Sequence, residues 1–288
     1  MRKLVVAGVD ARDRHLATMA LNAGWAVWSW GVAVDGVAEL TGPDSYPEGA
    51  FLLGPVAGID DHGHIPTAHG CVRVDGDILR RIGAGGWLAA GHIPTPLATR
   101  ARSLGIRTLS YLQSEELAWQ NAVLTAEGAI REAIAASGYG LWARPMVVLG
   151  YGRVGSALSH RLRRLDARVR VLDADEVHRA QARSFGMEVY DIDPARAVGA
   201  DMVFNTIPYP VITRDWERVL MDAVVFELAS RPGGVAPEVD RSKVSVRPLP
   251  GIPGQVAPKR AAQIIWETVW TIGSRTDTRE ERGNERPG

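Results

Sequence analysis

The stretch Met146-Val147-Val148-Leu149-Gly150-Tyr151-Gly152-Arg153-Val154-Gly155 decides the fold. Four apolar residues run into Gly-x-Gly-x-x-Gly, and a helical pattern over 153–165 follows at once. A dinucleotide-binding turn needs this order. Gly150 permits the tight turn, Gly152 lets the backbone approach a pyrophosphate, and Gly155 lets the helix pack on the strand. The helix start, with Arg153 and Val154, offers unpaired N–H groups and a positive dipole end to phosphates. The next strand, 168–172, runs into Asp173, close to the ~20-residue spacing expected of a carboxylate on the adenosine ribose. Its charge repels a 2′-phosphate, so NAD is favoured over NADP. Asp175 fits as N-cap of the helix that follows.

Outward from this unit, strand patterns recur at 189–190, 202–205 and 223–228. Open α/β sheets bind ligands beyond the carboxyl ends of their strands. Asn205, Thr206 and Pro208, with Ala229 and Ser230, are therefore expected to border the nicotinamide side. Arg231 leaves a strand end into a Gly-rich loop and can fork onto a carboxylate. Further on, Gly251, Gly254 and Lys259 lead into a last amphipathic helix over 255–272, where N–H groups and the Lys charge could receive a second carboxylate.

The N-terminal half alternates strands and helices in the same way, with strands at 4–9, 26–30, 50–53, 87–90 and 108–112. Residues 41–73, rich in Pro, Gly, Asp and His, read as loops with one or two short strands. A long helix over 114–136 joins the halves. The prediction is an α/β protein of two Rossmann-like doubly wound parallel-sheet domains joined by a connecting helix. Residues 1–120 form the substrate-side domain and 121–274 the NAD(P)-binding domain, its last helix able to pack back on the first. The charged remainder, 275–288, reads as a disordered tail.

Composition removes several functions. The chain has 288 residues, with 33 Lys+Arg against 33 Asp+Glu, so nothing pulls it toward nucleic acid or an anionic membrane. The uncharged stretch 16–34 is broken by Asn22, Gly24, Ser29 and Gly31 and reads as helix, turn and strand rather than a membrane span. No signal peptide is expected, and a cytoplasmic location fits. Cys71 is the one cysteine, which excludes an internal disulfide framework. His62, His64 and His69 lack carboxylate or Cys partners at ligand spacing and read as loop histidines, so no metal is expected. The catalytic base is not readable; His92, at a strand end, and Glu127, on the long helix, are weak candidates. Arg12, beside Asp10 at the end of the first strand, is a reserve carboxylate ligand.

The segments 205–208, 228–234 and 250–259 together resemble the dipicolinate synthase A subunits of endospore-forming bacteria. So do Gly8-Val9-Asp10-Ala11-Arg12, Asn121 with Thr125-Ala126-Glu127-Gly128, and Gln263-Ile264. The resemblance implies nicotinamide-dependent oxidation of dihydrodipicolinate, or its hydroxy-tetrahydro precursor, to pyridine-2,6-dicarboxylate in the mother cell during sporulation. It also implies a partner, the flavoprotein-like B subunit; a homo-oligomer is expected besides. Members of that family can carry a Gly-Ala-Arg-like segment suited to a 2′-phosphate, where this chain has Leu172-Asp173-Ala174. Two other readings remain: an oxidoreductase like the D-2-hydroxyacid dehydrogenases, and a non-catalytic nucleotide sensor. The first uses a His near the last helix, and no His here lies beyond His178.

Overall fold

The computed structural model describes residues 1–138 and 140–283. It divides into two compact units. One comprises Met1–Ala118 and the chain from Ala257 onward, the other Trp119–Val256.

In the first unit, β1 (Lys3–Ala7), β2 (Ala26–Trp30), β3 (Ala38–Glu39) and β4 (Phe51–Leu53) are followed by a hairpin of β5 (His64–Thr67) and β6 (Gly70–Arg73). Then come β7 (Trp87–Ala90) and β8 (Arg107–Ser110). The sheet order is β3-β2-β1-β4-β7-β8, all parallel. Chain order reverses at β1, the switch at which doubly wound sheets open a crevice. Helices α1 (Ala11–Asn22), α2 (Gly76–Ile82) and α3 (Thr95–Ser103) return the chain between strands. Val5, Leu52 and Leu88 lie in the core against Ile78 and Ile82. The strands read as continuous apolar runs because both faces of the sheet are covered.

Helix α4 (Glu115–Ser137) passes from the first unit into the second. There β9 (Pro145–Leu149), β10 (Arg168–Leu172), β11 (Glu188–Tyr190), β12 (Met202–Asn205), β13 (Val224–Glu227) and β14 (Ser245–Pro248) form a parallel sheet in the order β11-β10-β9-β12-β13-β14. Chain order again reverses at the first strand, β9. Helices α5 (Arg153–Arg164) and α6 (Glu176–Ser184) cross between strands. Phe204 and Phe226, paired in register on β12 and β13, stack with ring centroids 5.1 Å apart. Both domains therefore have the doubly wound parallel architecture.

The C-terminal segment departs from the sequence reading. The single helix expected over 255–272 is two: α7 (Ile252–Val256) and α8 (Pro258–Gly283). Pro258 has no N–H to continue a helix but suits its first turn, so the break falls before it. Helix α8 belongs to the first unit, where Trp266 and Trp270 meet Trp25 with centroids 5.8 and 4.7 Å away. The tail expected from residue 275 is helical as far as Gly283; 284–288 lie outside the described residues. The second unit thus ends at Val256 rather than 274.

Candidate nucleotide site

The glycine-rich loop joins β9 to α5, and its three glycines answer to three different constraints. Gly150 has φ +91°, and a Cβ there would lie 2.5 Å from Thr206 Oγ1. At Gly155 a Cβ would fall 1.9 Å from the Gly150 carbonyl oxygen, so only glycine allows the helix this close to the strand. Around Gly152 there is open space, with nothing within 4 Å of a Cβ. Steric need explains the outer two glycines. The middle one, N-cap of α5 and without a side-chain cap, leaves room for a phosphate at the helix start.

Asp173 holds this loop in shape. Register pairs Leu172 with Leu149, so the residue after β10 stands beside the loop after β9. Asp173 Oδ2 accepts from the Tyr151 backbone N–H at 2.6 Å and contacts His178 Nδ1 at 3.0 Å. Its Oδ1 accepts from Asp175 N–H at 2.8 Å. Asp173 is buried, at 6% exposure. A carboxylate has about four acceptor sites, and three are engaged within the protein. Asp173 thus has about one acceptor site left for a ribose hydroxyl. Asp175 caps α6 through Val177 and His178 N–H, and those bonds hold its carboxyl below the usual range.

The far side of the loop is a buried polar network. Asn205 Nδ2 donates to Ile207 O at 2.9 Å and to Glu227 Oε1 at 2.7 Å, and Asn205 Oδ1 accepts from Ile207 N–H. Glu227 also accepts from Ala229 N–H and, through Oε2 at 2.9 Å, from Gly234 N–H. Thr206 donates its hydroxyl to Leu149 O at 2.8 Å. Asn205 and Thr206 therefore turn their polar atoms into the fold, where they fix the strand ends, while Pro208 and Ser230 are exposed beyond them. Glu227, which the sequence reading placed at a strand end without a role, is the organiser. An acid ending an apolar strand just before a Gly-rich loop was the available signal.

The remaining candidates separate. Arg231 is exposed in the second unit, and no hydrogen bond or ion pair engages it among the described residues. Gly251 lies just before α7 and Gly254 within it, and α7 presses Ile252 and Val256 onto Gly128 of α4, where a Cβ would sit 2.1 Å from Ile252 Cγ2. Lys259, exposed in the first turn of α8, belongs to the first unit, as do Arg12 and His92. His92 is exposed, and its carbonyl accepts from Ile59 N–H. Glu127 is exposed on α4. Arg12 is not a free cation: its guanidinium binds both Asp10 oxygens. Burial raises the Asp10 pKa, but the Arg12 pairing outweighs it and holds the carboxyl below its ordinary value. Among the described residues no group of His, Cys, Asp and Glu could hold a metal ion.

Two doubly wound units, one with an open glycine-rich loop at its switch point, define a two-domain protein of the dinucleotide-binding α/β class. Residues 146–198 match the TrkA-N domain family. The chain resembles the A subunit of dipicolinate synthase. That protein from Bacillus subtilis (strain 168) is 28% identical over 163 residues, a match that spans 55% of this chain and about half, 55%, of that relative. The crystal structure of the dipicolinate synthase A subunit from Bacillus halodurans superposes with a TM-score of 0.82 at 23% identity, covering 94% of this chain and 97% of that one. A transhydrogenase from Sinorhizobium meliloti shares the fold at a TM-score of 0.64 and 16% identity, covering 94% of each chain. No helix among the described residues is long and apolar enough to cross a membrane.

Proposed function

We propose that this chain is a nicotinamide-dependent oxidoreductase that serves as the A subunit of a dipicolinate synthase and oxidises dihydrodipicolinate to pyridine-2,6-dicarboxylate. The observation that carries the reading is the open space at Gly152, at an uncapped helix start, within a chain that resembles that protein. The loop at 150–155 would hold the pyrophosphate, and the Asp173 charge favours NAD over NADP. When bound, the nicotinamide ring supplies the hydride acceptor.

The chain's own groups do the rest. Arg231 can fork onto one substrate carboxylate. Aromatisation releases a proton together with the hydride, and the gain in resonance lowers the demand on the base. Glu127, exposed on α4, is the group proposed to take it. The relative is by its name one subunit of a synthase, so the proposed partner is the second one, with sporulation as the setting.

Purified protein is incubated with enzymatically generated dihydrodipicolinate and NAD or NADP, while reduced cofactor and pyridine absorbance are followed together. Both signals should rise in step, faster with NAD. Nucleotide binding without turnover, with or without the second subunit, would leave a nucleotide sensor. Turnover of a 2-hydroxy acid instead would move the chain toward the D-2-hydroxyacid dehydrogenases.

A further inference from the structure

The first unit contains a cavity of about 620 Å³ that shares no residue with the nucleotide loop or with Arg231, Lys259 and Arg12. It lies where the β5–β6 hairpin folds over the ends of β2 and β3. The hairpin is seated firmly there. Ala68 N–H donates to Gly31 O at 3.1 Å, and at Gly31, with φ +90°, a Cβ would lie 2.1 Å from Thr67 Cβ. The volume falls within the range of small-molecule pockets, about 300–1,000 Å³.

The lining holds two acids, one of them a helix cap, beside donors that no protein group engages among the described residues. Glu39 faces His69 Nε2 at 3.6 Å, and Asp75 caps α2 through Asp77 and Ile78 N–H. Arg73, by contrast, is an exposed guanidinium without an ion pair or hydrogen bond among the described residues. The Trp30 indole N–H and the Thr41 hydroxyl have no protein partner there either. Leu40, Pro43 and Val72 supply apolar wall. Free donors beside apolar surface call for a ligand with acceptor oxygens on a flat carbon frame.

We propose that this cavity is a second small-molecule site, which takes a planar one- or two-ring aromatic carboxylate, its carboxylate forked by Arg73 and its ring against Leu40, Pro43 and Val72. Occupancy would shield Cys71, which is exposed and also lines the cavity.

Because Cys71 is the one cysteine in the chain, its modification reports on this site alone. The rate of its reaction with 5,5′-dithiobis(2-nitrobenzoate) is measured in the full chain with quinoline-2-carboxylate, pyridine-2,6-dicarboxylate or cyclohexanecarboxylate present at millimolar concentration. At least one aromatic acid should slow the reaction about fivefold or more, saturably, with little effect from the cyclohexane acid. Arg73→Gln should weaken that protection about tenfold, as loss of a charged hydrogen bond implies, with unchanged thermal unfolding and NADH binding. Thr41→Val should weaken it less. An unaltered reaction rate with both aromatic acids overturns the site. Equal protection by the cyclohexane acid overturns its aromatic class, and full protection in Arg73→Gln overturns the role of that residue.

Discussion

The two units share a sheet order and differ at the turn after the first strand. In the second unit that turn is Gly-x-Gly-x-x-Gly, and the start of α5 carries no side-chain cap. In the first unit the corresponding turn, Gly8-Val9-Asp10, is sealed by the protein's own acids. Asp10 caps α1, and Asp13 Oδ2 accepts from Val9 and Asp10 N–H at 2.9 and 3.0 Å. A Cβ on Gly8 would lie 2.1 Å from that Asp13 oxygen. One helix start is thus free to receive an exogenous anion, and the other already holds an endogenous one. Topology sets the crevice, and three or four residues decide whether it is filled from within.

The most damaging way to break the comparison is Gly155→Ala. Its Cβ meets a backbone oxygen that cannot move aside, so the second unit should lose about 3 kcal/mol or more, and NADH binding should vanish. Thermal unfolding and fluorescence titration check both. Asp13→Asn tests the sealed turn. Burial above all, with the Asp10 charge, raises the Asp13 pKa from 3.8 to about 7. The folded state therefore holds a proton between about pH 4 and 7 that the unfolded chain releases, and stability falls as pH rises through that window. The Asp10 contribution runs the other way but lies below about pH 4. Asp13→Asn should abolish a fall on the order of 2–4 kcal/mol, read from denaturant unfolding at several pH values; an unchanged slope would place the titration elsewhere.

Gly152→Ala sharpens the contrast with Gly155. Its Cβ enters open space, so stability should stay within about 1 kcal/mol while NADH binding weakens about tenfold, or ~1.4 kcal/mol. Equal losses of stability in the two alanine variants would contradict the separate roles given to these glycines. The smallest effect is expected of Asp173→Asn. It keeps an acceptor for Tyr151 N–H and removes the charge, which should narrow the NADH over NADPH preference by about 1 kcal/mol.

Much of this was legible before the structure. The strands Ala26–Trp30, Trp87–Ala90, Arg168–Leu172 and Met202–Asn205 are compact apolar or β-branched runs between clear turns, and periodicity alone bounds them. Ser245–Pro248 was invisible because it is a largely exposed edge strand paired with β13 alone, so burial left no pattern on it. The tight turn at Gly150 and the close strand–helix approach at Gly155 could be read because both follow from local backbone geometry. The state of Asp173 could not, since it depends on the register of β10 against β9, a non-local fact. Asn205 and Thr206 were placed at the correct strand end, but their inward bonds could not be read, because sequence shows which polar residues end a strand and not which way they face. Asp13 could have been found: Asp10 and Asp13 have the spacing of a capping box.

The discontinuous make-up of the first unit has a consequence for biosynthesis. Its sheet is encoded within Met1–Ala118, but α8, which packs Trp266 and Trp270 on Trp25, comes near the end of the chain. On the ribosome the sheet emerges first and waits, while the second unit, uninterrupted from Trp119 to Val256, completes itself. Until α8 arrives, Trp25 and the neighbouring Phe51 lack their aromatic cover. The domain whose sheet is translated first is therefore the one finished last.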